Sequence, residues 1–229
     1  IKDLVNERIL VTSGPTAEFI DPVRCITNRS SGKMGYAIAK IARRRGADVI
    51  LITGQTHLPQ PRNDIEVVEV VTACEMRDAV MEHYRACTVI IKAAAVADFK
   101  CSTENCNKIK KKGDESTMLL ELTKNPDIIG ELGMLKENRI LVGFAAETEN
   151  LLENASEKLK KKNLDLIIAN DVSKSDIGFG SDNNEVIIIE VSGKTRHVPI
   201  MSKEEIANII FDSIKKIIKK RKVVKDDWY

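Results

Sequence analysis

Short apolar runs alternate with longer stretches of helical period along most of the chain. The runs RILVTSG, ADVILITG, IEVVEVV, TVIIKAAAVADF, RILVGFAAET and LDLIIANDV are rich in β-branched residues and bounded by Gly or polar clusters, which reads as strands. Between them the apolar spacing becomes helical. Met76, Ala79, Val80, His83 and Tyr84 share one face behind Thr72 and Glu75, which have the spacing of a capping box. His83 on that face reads as a packing residue rather than a ligand. A last helix opens on a second capping box, Ser202 and Glu205, and carries Ile206, Ile209, Ile210, Ile214, Ile217 and Ile218 as a core-facing stripe. Alternation of this kind predicts an α/β fold, a Rossmann-like, mostly parallel sheet with flanking helices.

Two sections interrupt the alternation. Residues 100–122 are polar and lysine-rich and end in TMLLEL, an extra strand or flap rather than a simple crossover. NEVIIIEVSGKTRHVPI reads as a hairpin turned at Ser192 and Gly193. Antiparallel additions at a sheet edge suit both. Past the isoleucine stripe the chain turns polar, and residues 222–229 are expected to fray. With no internal repeat and no low-complexity linker, residues 1–229 read as a single domain.

Composition narrows the function. A chain of 229 residues buries a sizeable core without metals or disulfides. Its 36 Lys and Arg against 34 Asp and Glu leave a net charge of +2, which excludes the footprint of a general nucleic-acid binder but not a small anionic ligand. Five cysteines at irregular spacings, without a C-x-x-C pair, suit reduced thiols in the cytoplasm, and no nearby His completes a zinc set with Cys101 and Cys106. No apolar run approaches the roughly 20 residues that span a bilayer, and there is no secretory segment, so no membrane partner is expected.

Open α/β sheets bind ligands at the carboxyl ends of their strands. The first strand ends at Gly14, and a long loop through PTAEFIDPVRCITNRSSGK leads to a helix at about Met34. Gly32 and Gly35 flank the helix start, where absent side chains open backbone N–H groups to an anion, and Ser30 and Ser31 add hydroxyls. It is not a Walker A loop: Thr27 stands where the first Gly belongs, and Met34 follows Lys33. A dinucleotide fingerprint is missing too, because the second strand ends in LITG without an acidic residue, and this disfavours an NAD-type oxidoreductase. Other loops on the same rim offer the three alanines and Asp98 of AAAVADF, and the run Lys108, Lys110, Lys111 and Lys112, which is ordinarily a solvated face. KNPDII predicts Asn125 as an N-cap with Pro126 first in its helix. Phe144 closes a strand, and Lys158 and Lys162 lie one helical turn apart, within reach of one phosphate.

Taken in order, TSGPT, IDPVR, TNRSSGKMG, AAAVADF, KIKK, NPDI, VGFAAET and ANDVS with the GF and DNN that follow it make the chain resemble the phosphopantothenoylcysteine synthetases, the phosphopantothenate–cysteine ligases of coenzyme A biosynthesis. The similarity runs nearly end to end. It is to the ligase half of the bifunctional decarboxylase–ligase, which implies fusion to, or association with, a flavin-dependent phosphopantothenoylcysteine decarboxylase and no flavin in this chain. The resemblance implies a cytoplasmic homodimer with shared active sites. It implies that 4′-phosphopantothenate is activated by a nucleoside triphosphate, CTP rather than ATP, with Mg²⁺, and that L-cysteine then displaces the nucleotide monophosphate.

Residue by residue, Asn28 matches the side chain that binds the acyl group, and Ala94, Ala95 and Asp98 match contacts to phosphopantothenate. Arg24 matches an Arg reaching that substrate from the neighbouring subunit. Gly14, Ser30, Gly32, Gly35, Asp98, Pro126, Asp127, Ile128, Ile129, Phe144, Lys158, Lys162 and Asn170 match the nucleotide pocket. Lys108, first in KIKK, matches the lysine of the activation step, on a flap that closes over the acyl-nucleotide. Pro15 departs from the family, which often has a second Gly there, and removes one backbone donor. No metal ligand is assigned.

Overall fold

The computed structural model describes residues 2–61, 64–110, 117–147, 149–171 and 180–226. In chain order the elements are β1 (Arg8–Ser13), β2 (Ala17–Asp21), β3 (Arg24–Thr27), α1 (Lys33–Arg44), β4 (Asp48–Thr53), β5 (Glu66–Glu69), α2 (Ala73–His83) and β6 (Val89–Lys92). They continue with β7 (Phe99–Cys101), β8 (Leu122–Lys124), α3 (Ile128–Met134), β9 (Ile140–Glu147), α4 (Leu151–Lys161), β10 (Leu166–Asp171), β11 (Asn183–Glu190), β12 (Thr195–Ser202) and α5 (Lys203–Asp226).

An eight-stranded sheet in the order β12-β11-β10-β9-β6-β1-β4-β5 forms the frame. From β10 to β5 every pair is parallel, and the β11–β12 hairpin adds the antiparallel edge read from the sequence, with Gly193 in its turn at φ 82°. Apolar residues on successive strand positions serve opposite faces: Ile9 and Val11 pack with Ile38, Ile206, Ile210 and Phe211 of α1 and α5, while Leu10 packs with Met76, Val80, Leu132 and Leu159 of α2, α3 and α4. Strands buried on both faces account for the unbroken apolar runs. β1 leads through α1 to β4 on one side and has β6 on the other, so the strand order reverses there and a crevice opens at the carboxyl ends of β1 and β6.

Both capping boxes form as expected, at Thr72 with Glu75 and at Ser202 with Glu205. Four expectations are corrected. The loop after β1 contains an antiparallel hairpin, β2–β3, whose turn is made by Asp21: its Oδ1 accepts the N–H groups of Val23 and Arg24, both at 2.9 Å. TMLLEL is not a strand as a whole, since only Leu122 belongs to β8, and β8 pairs with β7 in a separate ribbon rather than at the sheet edge. The cap of α3 is Asp127, which accepts from Gly130 N–H at 3.1 Å, because the helix begins only at Ile128; Asn125 lies before it and donates its side-chain N–H to the carbonyl of Ala97 at 2.9 Å. α5 continues to Asp226, past the point where fraying was expected, as no Gly or Pro interrupts it, and 227–229 lie outside the described residues. Among the described residues no helix is long and apolar enough to cross a membrane.

Candidate active site

The floor of the crevice is built from backbone. Ala95 donates its N–H to the carbonyl of Gly14 at 2.9 Å and accepts from Thr16 N–H at 3.3 Å, a bridge that continues the sheet past the ends of β1 and β6. Side-chain hydroxyls extend it: Thr12 Oγ1 accepts from Ala94 N–H at 3.2 Å and Thr16 Oγ1 from Ala97 N–H at 3.0 Å. Asn28, projected from the end of β3, donates Nδ2–H to the Ala95 carbonyl at 3.0 Å. Asn28 therefore stands over the alanine loop with its second N–H available.

The bare Cα positions of the opening loop face protein rather than open space. Gly14, Gly32 and Gly35 are buried against their own chain. A Cβ at Gly35 would sit 2.4 Å from Ser13 Oγ, and one at Gly32, where φ is 77°, would sit 2.7 Å from the Thr56 methyl. The missing side chains thus make room for Ser13 of β1 and for the Gly54–Thr56 loop. The anion-binding potential lies instead in the first turn of α1, which has no side-chain cap and no acidic residue, with Ser30 Oγ accepting only from Gly32 N–H at 3.3 Å.

On the α3–α4 side the charges gather. Lys158 Nζ donates to the Phe144 carbonyl at 3.0 Å, and Lys162 pairs with Asp127, so the two lysines are tied to separate partners although one turn apart. Burial lowers the pKa of Lys158, partly offset by Glu147, Asp98 and Asp127. Asp127 is held below the usual carboxylate range: burial alone would raise it, but hydrogen bonds from Lys162 and Gly130 outweigh that. Asp98 is exposed and its carboxylate makes no hydrogen bond among the described residues. Pro126 precedes the cap, and Ile128 and Ile129 are core side chains, so these two isoleucines offer only backbone groups at the start of α3, beside the exposed Asp127 carboxylate. Asn170, on β10 opposite Ala146, stands one strand further along.

Lys108 and Arg24 lie beside the β2–β3 hairpin. Lys108 is exposed, Lys110 likewise, while Lys111 and Lys112 fall outside the described residues. Arg24 donates to Asp21 Oδ2 and to the carbonyl of Ile109, at 2.5 and 3.1 Å from Nη2.

Sequence reading passed over three groups. Lys92, at the end of β6, lies among Lys158, Asp98 and Asp127, and burial pushes it down to about 8, with repulsion from Lys158 adding to the effect. Its signal was a lone cation closing an apolar run. Asn125 Oδ1 is buried without a hydrogen-bond partner among the described residues and offers an acceptor at the rim. Tyr36 and Lys40 have the Tyr-x-x-x-Lys spacing of short-chain dehydrogenases, yet Lys40 pairs with Glu204 and the Tyr36 hydroxyl accepts from Thr56 at 3.3 Å, so they do not form a catalytic couple. Both line a separate cleft of about 1020 Å³, where Lys33, Arg43 and Arg44 are likewise paired, with Asp182, Asp64 and Glu204.

The family model described as the DNA/pantothenate metabolism flavoprotein C-terminal domain matches residues 4–218. The coenzyme A biosynthesis bifunctional protein CoaBC of Bacillus subtilis is 48% identical over 211 residues, 92% of this chain and 52% of that protein. The protein of the same name from Escherichia coli is 45% identical over 218 residues, 93% of this chain and 53% of that protein. The chain thus spans about half the length of these relatives. Among solved structures, the C-terminal domain of a CoaBC superposes with a TM-score of 0.82 at 39% identity, covering 96% of this chain and all of the other. A Cab2 mutant in complex with phosphopantothenate-cysteine shares the fold, with a TM-score of 0.78 at 19% identity over 95% of this chain and 89% of that one. With the matched span taking in every strand and the crevice between β1 and β6, the chain belongs to the family of DNA/pantothenate metabolism flavoprotein C-terminal domains.

Proposed function

We propose that this chain is a phosphopantothenate–cysteine ligase, using a nucleoside triphosphate, CTP in preference to ATP, to join 4′-phosphopantothenate to L-cysteine. The observation that carries the reading is the joining of Asn28, Ala94 and Ala95 to the loop after Gly14 at the crevice, with the cations Lys92, Lys158 and Lys162 on its α3–α4 side. The names of the CoaBC relatives and the ligand of the Cab2 complex support it.

In the first step the substrate carboxylate attacks the α-phosphorus, the bond to the bridging oxygen breaks, and pyrophosphate leaves with that electron pair. The lysines and the first turn of α1 offset phosphate charge, and Lys108 supplies a further cation. In the second step the cysteine amine attacks the acyl carbon and the nucleotide monophosphate leaves. The free N–H of Asn28 donates to the carbonyl oxygen as it gains charge, without changing protonation state. No set of three His, Cys, Asp or Glu among the described residues is placed to hold a metal, so Mg²⁺ would enter on the triphosphate, with the Asp98 carboxylate as the protein's contribution, and would supply charge neutralisation.

A homodimer suits the exposed apolar side chains of the hairpin and ribbon, Phe19, Val23, Phe99 and Leu122. Arg24 lies on that same hairpin, its Nη1 making no hydrogen bond among the described residues, where it would reach a neighbouring subunit's substrate. A cytoplasmic setting, and a flavin-dependent decarboxylase fused or associated, complete the reading.

The test is to incubate the protein with phosphopantothenate, CTP and magnesium, without cysteine, and to look for the acyl-nucleotide by mass spectrometry. Formation of the phosphopantothenoyl-nucleotide is expected, and its conversion to product when cysteine is added. A nucleotide-binding sensor would form none, and that outcome sinks the proposal.

A further inference from the structure

The segment that carries Lys108 is fastened to the β2–β3 hairpin at both polar groups of a single residue. Asp21 Oδ2 accepts from Ile109 N–H at 3.1 Å, and Arg24 Nη2, 2.5 Å from the same oxygen, donates to the Ile109 carbonyl at 3.1 Å. Four residues earlier, Asn105 donates its N–H to the Ile20 carbonyl at 3.1 Å. These contacts join residues more than 80 positions apart in sequence. The Asp21 side chain is fully buried, and its hydrogen bonds to Arg24 hold it far below the usual carboxylate range despite that burial. Its two oxygens divide the work: Oδ1 closes the hairpin turn, and Oδ2 holds the segment.

We infer that Asp21 is a positioning residue for Lys108: with Arg24 it clamps the Ile109 peptide and so sets where the Lys108 side chain leaves the surface. The inference rests on the proposed ligase reading, in which Lys108 acts on the triphosphate. A turn-forming Asp needs only one oxygen. The second accepts from Arg24 Nε at 3.0 Å and Nη2 at 2.5 Å and, beyond the hairpin, from Ile109 N–H, so the hairpin's own ion pair is also the anchor of the segment next to the lysine with the assigned role.

Asp21→Asn separates these jobs. The amide oxygen still closes the turn, while the –NH₂ in place of Oδ2 sets a donor against the donors of Arg24 and Ile109. Amide hydrogen exchange at Ile109 should speed up while exchange in β1 and β6 stays protected, which shows the fold intact. Acyl-nucleotide formation in a single turnover should fall about ten- to a hundredfold, the scale of a misplaced catalytic group. Lys108→Gln should make a similar loss, and the double variant should be no slower than Lys108→Gln alone, because both changes remove one contribution. Multiplicative losses in the double variant would assign Asp21 a purely structural role and overturn the inference, as would unchanged exchange at Ile109. A parent protein that forms no acyl-nucleotide while Asp21→Asn still frees Ile109 would instead refute the ligase reading and leave the clamp standing.

Discussion

Lys92 is a residue whose chemistry departs far from what its place in the sequence suggests. It faces the α3–α4 side, between Thr12 of β1 and Gly143 of β9 in the sheet register, with Lys158, Asp98 and Asp127 as the charges around it. Burial and the nearby Lys158 push its pKa from 10.5 down to about 8. The folded protein thus binds fewer protons than the unfolded chain between these values. The resulting penalty is fully present below about pH 8 and is relieved as the pH rises through the window to 10.5. Lys92→Met keeps the length and removes the charge, and is expected to raise the unfolding free energy at pH 7 by roughly 1–3 kcal/mol. Urea titrations of both proteins at pH 7 and pH 10 check this: the gain should shrink at the higher pH, and an equal gain at both would mean that packing rather than charge is responsible. A cation retained against such a penalty is consistent with service to an anionic ligand.

Between elements, one close approach that shapes the site is that of α1 on β1. Ser13 Oγ donates to the Gly32 carbonyl at 2.9 Å, and Gly35 presents its bare Cα to the same serine. Gly35→Ala would place a methyl 2.5 Å from Ser13 Cβ and 3.0 Å from its Cα, which the backbone of a central strand cannot relieve. A stability loss of about 1–3 kcal/mol is expected from this overpacking, measured by chemical denaturation. An unaltered midpoint would show that α1 has room to move and would restore the glycine to ligand use. The helix start itself was legible, because Gly, Ser and Lys ahead of an apolar period mark it. Whether its glycines admit a ligand or a strand was not, since both need an absent side chain.

At the scale of the molecule, exposed apolar groups gather on the hairpin and ribbon that stand outside the main sheet. Val23 is 64% exposed at the hairpin turn and Phe19 and Phe99 are 38% and 44% exposed nearby. In the proposed homodimer a second copy would cover them, removing side chains that water would otherwise hydrate. Sedimentation velocity should find the parent at twice the monomer mass of 25.5 kDa, and Val23→Glu at that monomer mass or in concentration-dependent exchange. A parent that sediments as a monomer would remove the shared-site part of the proposal.

The apolar pattern alone determined the order of the parallel strands' sequence segments, the isoleucine stripe of α5, both capping boxes and the edge hairpin. These are local matters of period, β-branching and cap spacing, which a single stretch of chain encodes. Motif order along the chain likewise carried the family resemblance and the candidate residues. Tertiary structure decided the rest. What a glycine's bare Cα makes room for depends on what lies opposite, here Ser13 or Thr56; the α3 cap is Asp127 rather than Asn125 because the helix starts at Ile128, while Asn125 turns its N–H to Ala97, distant in sequence. Asp21 joins a turn that its neighbours specify to a segment that only the fold brings near, and Lys92 acquires its pKa from burial and from a lysine on another element. Hydrogen-bond partners, close approaches and desolvation are properties of pairs of residues in space. A one-dimensional pattern names the members of such pairs but not the pairing.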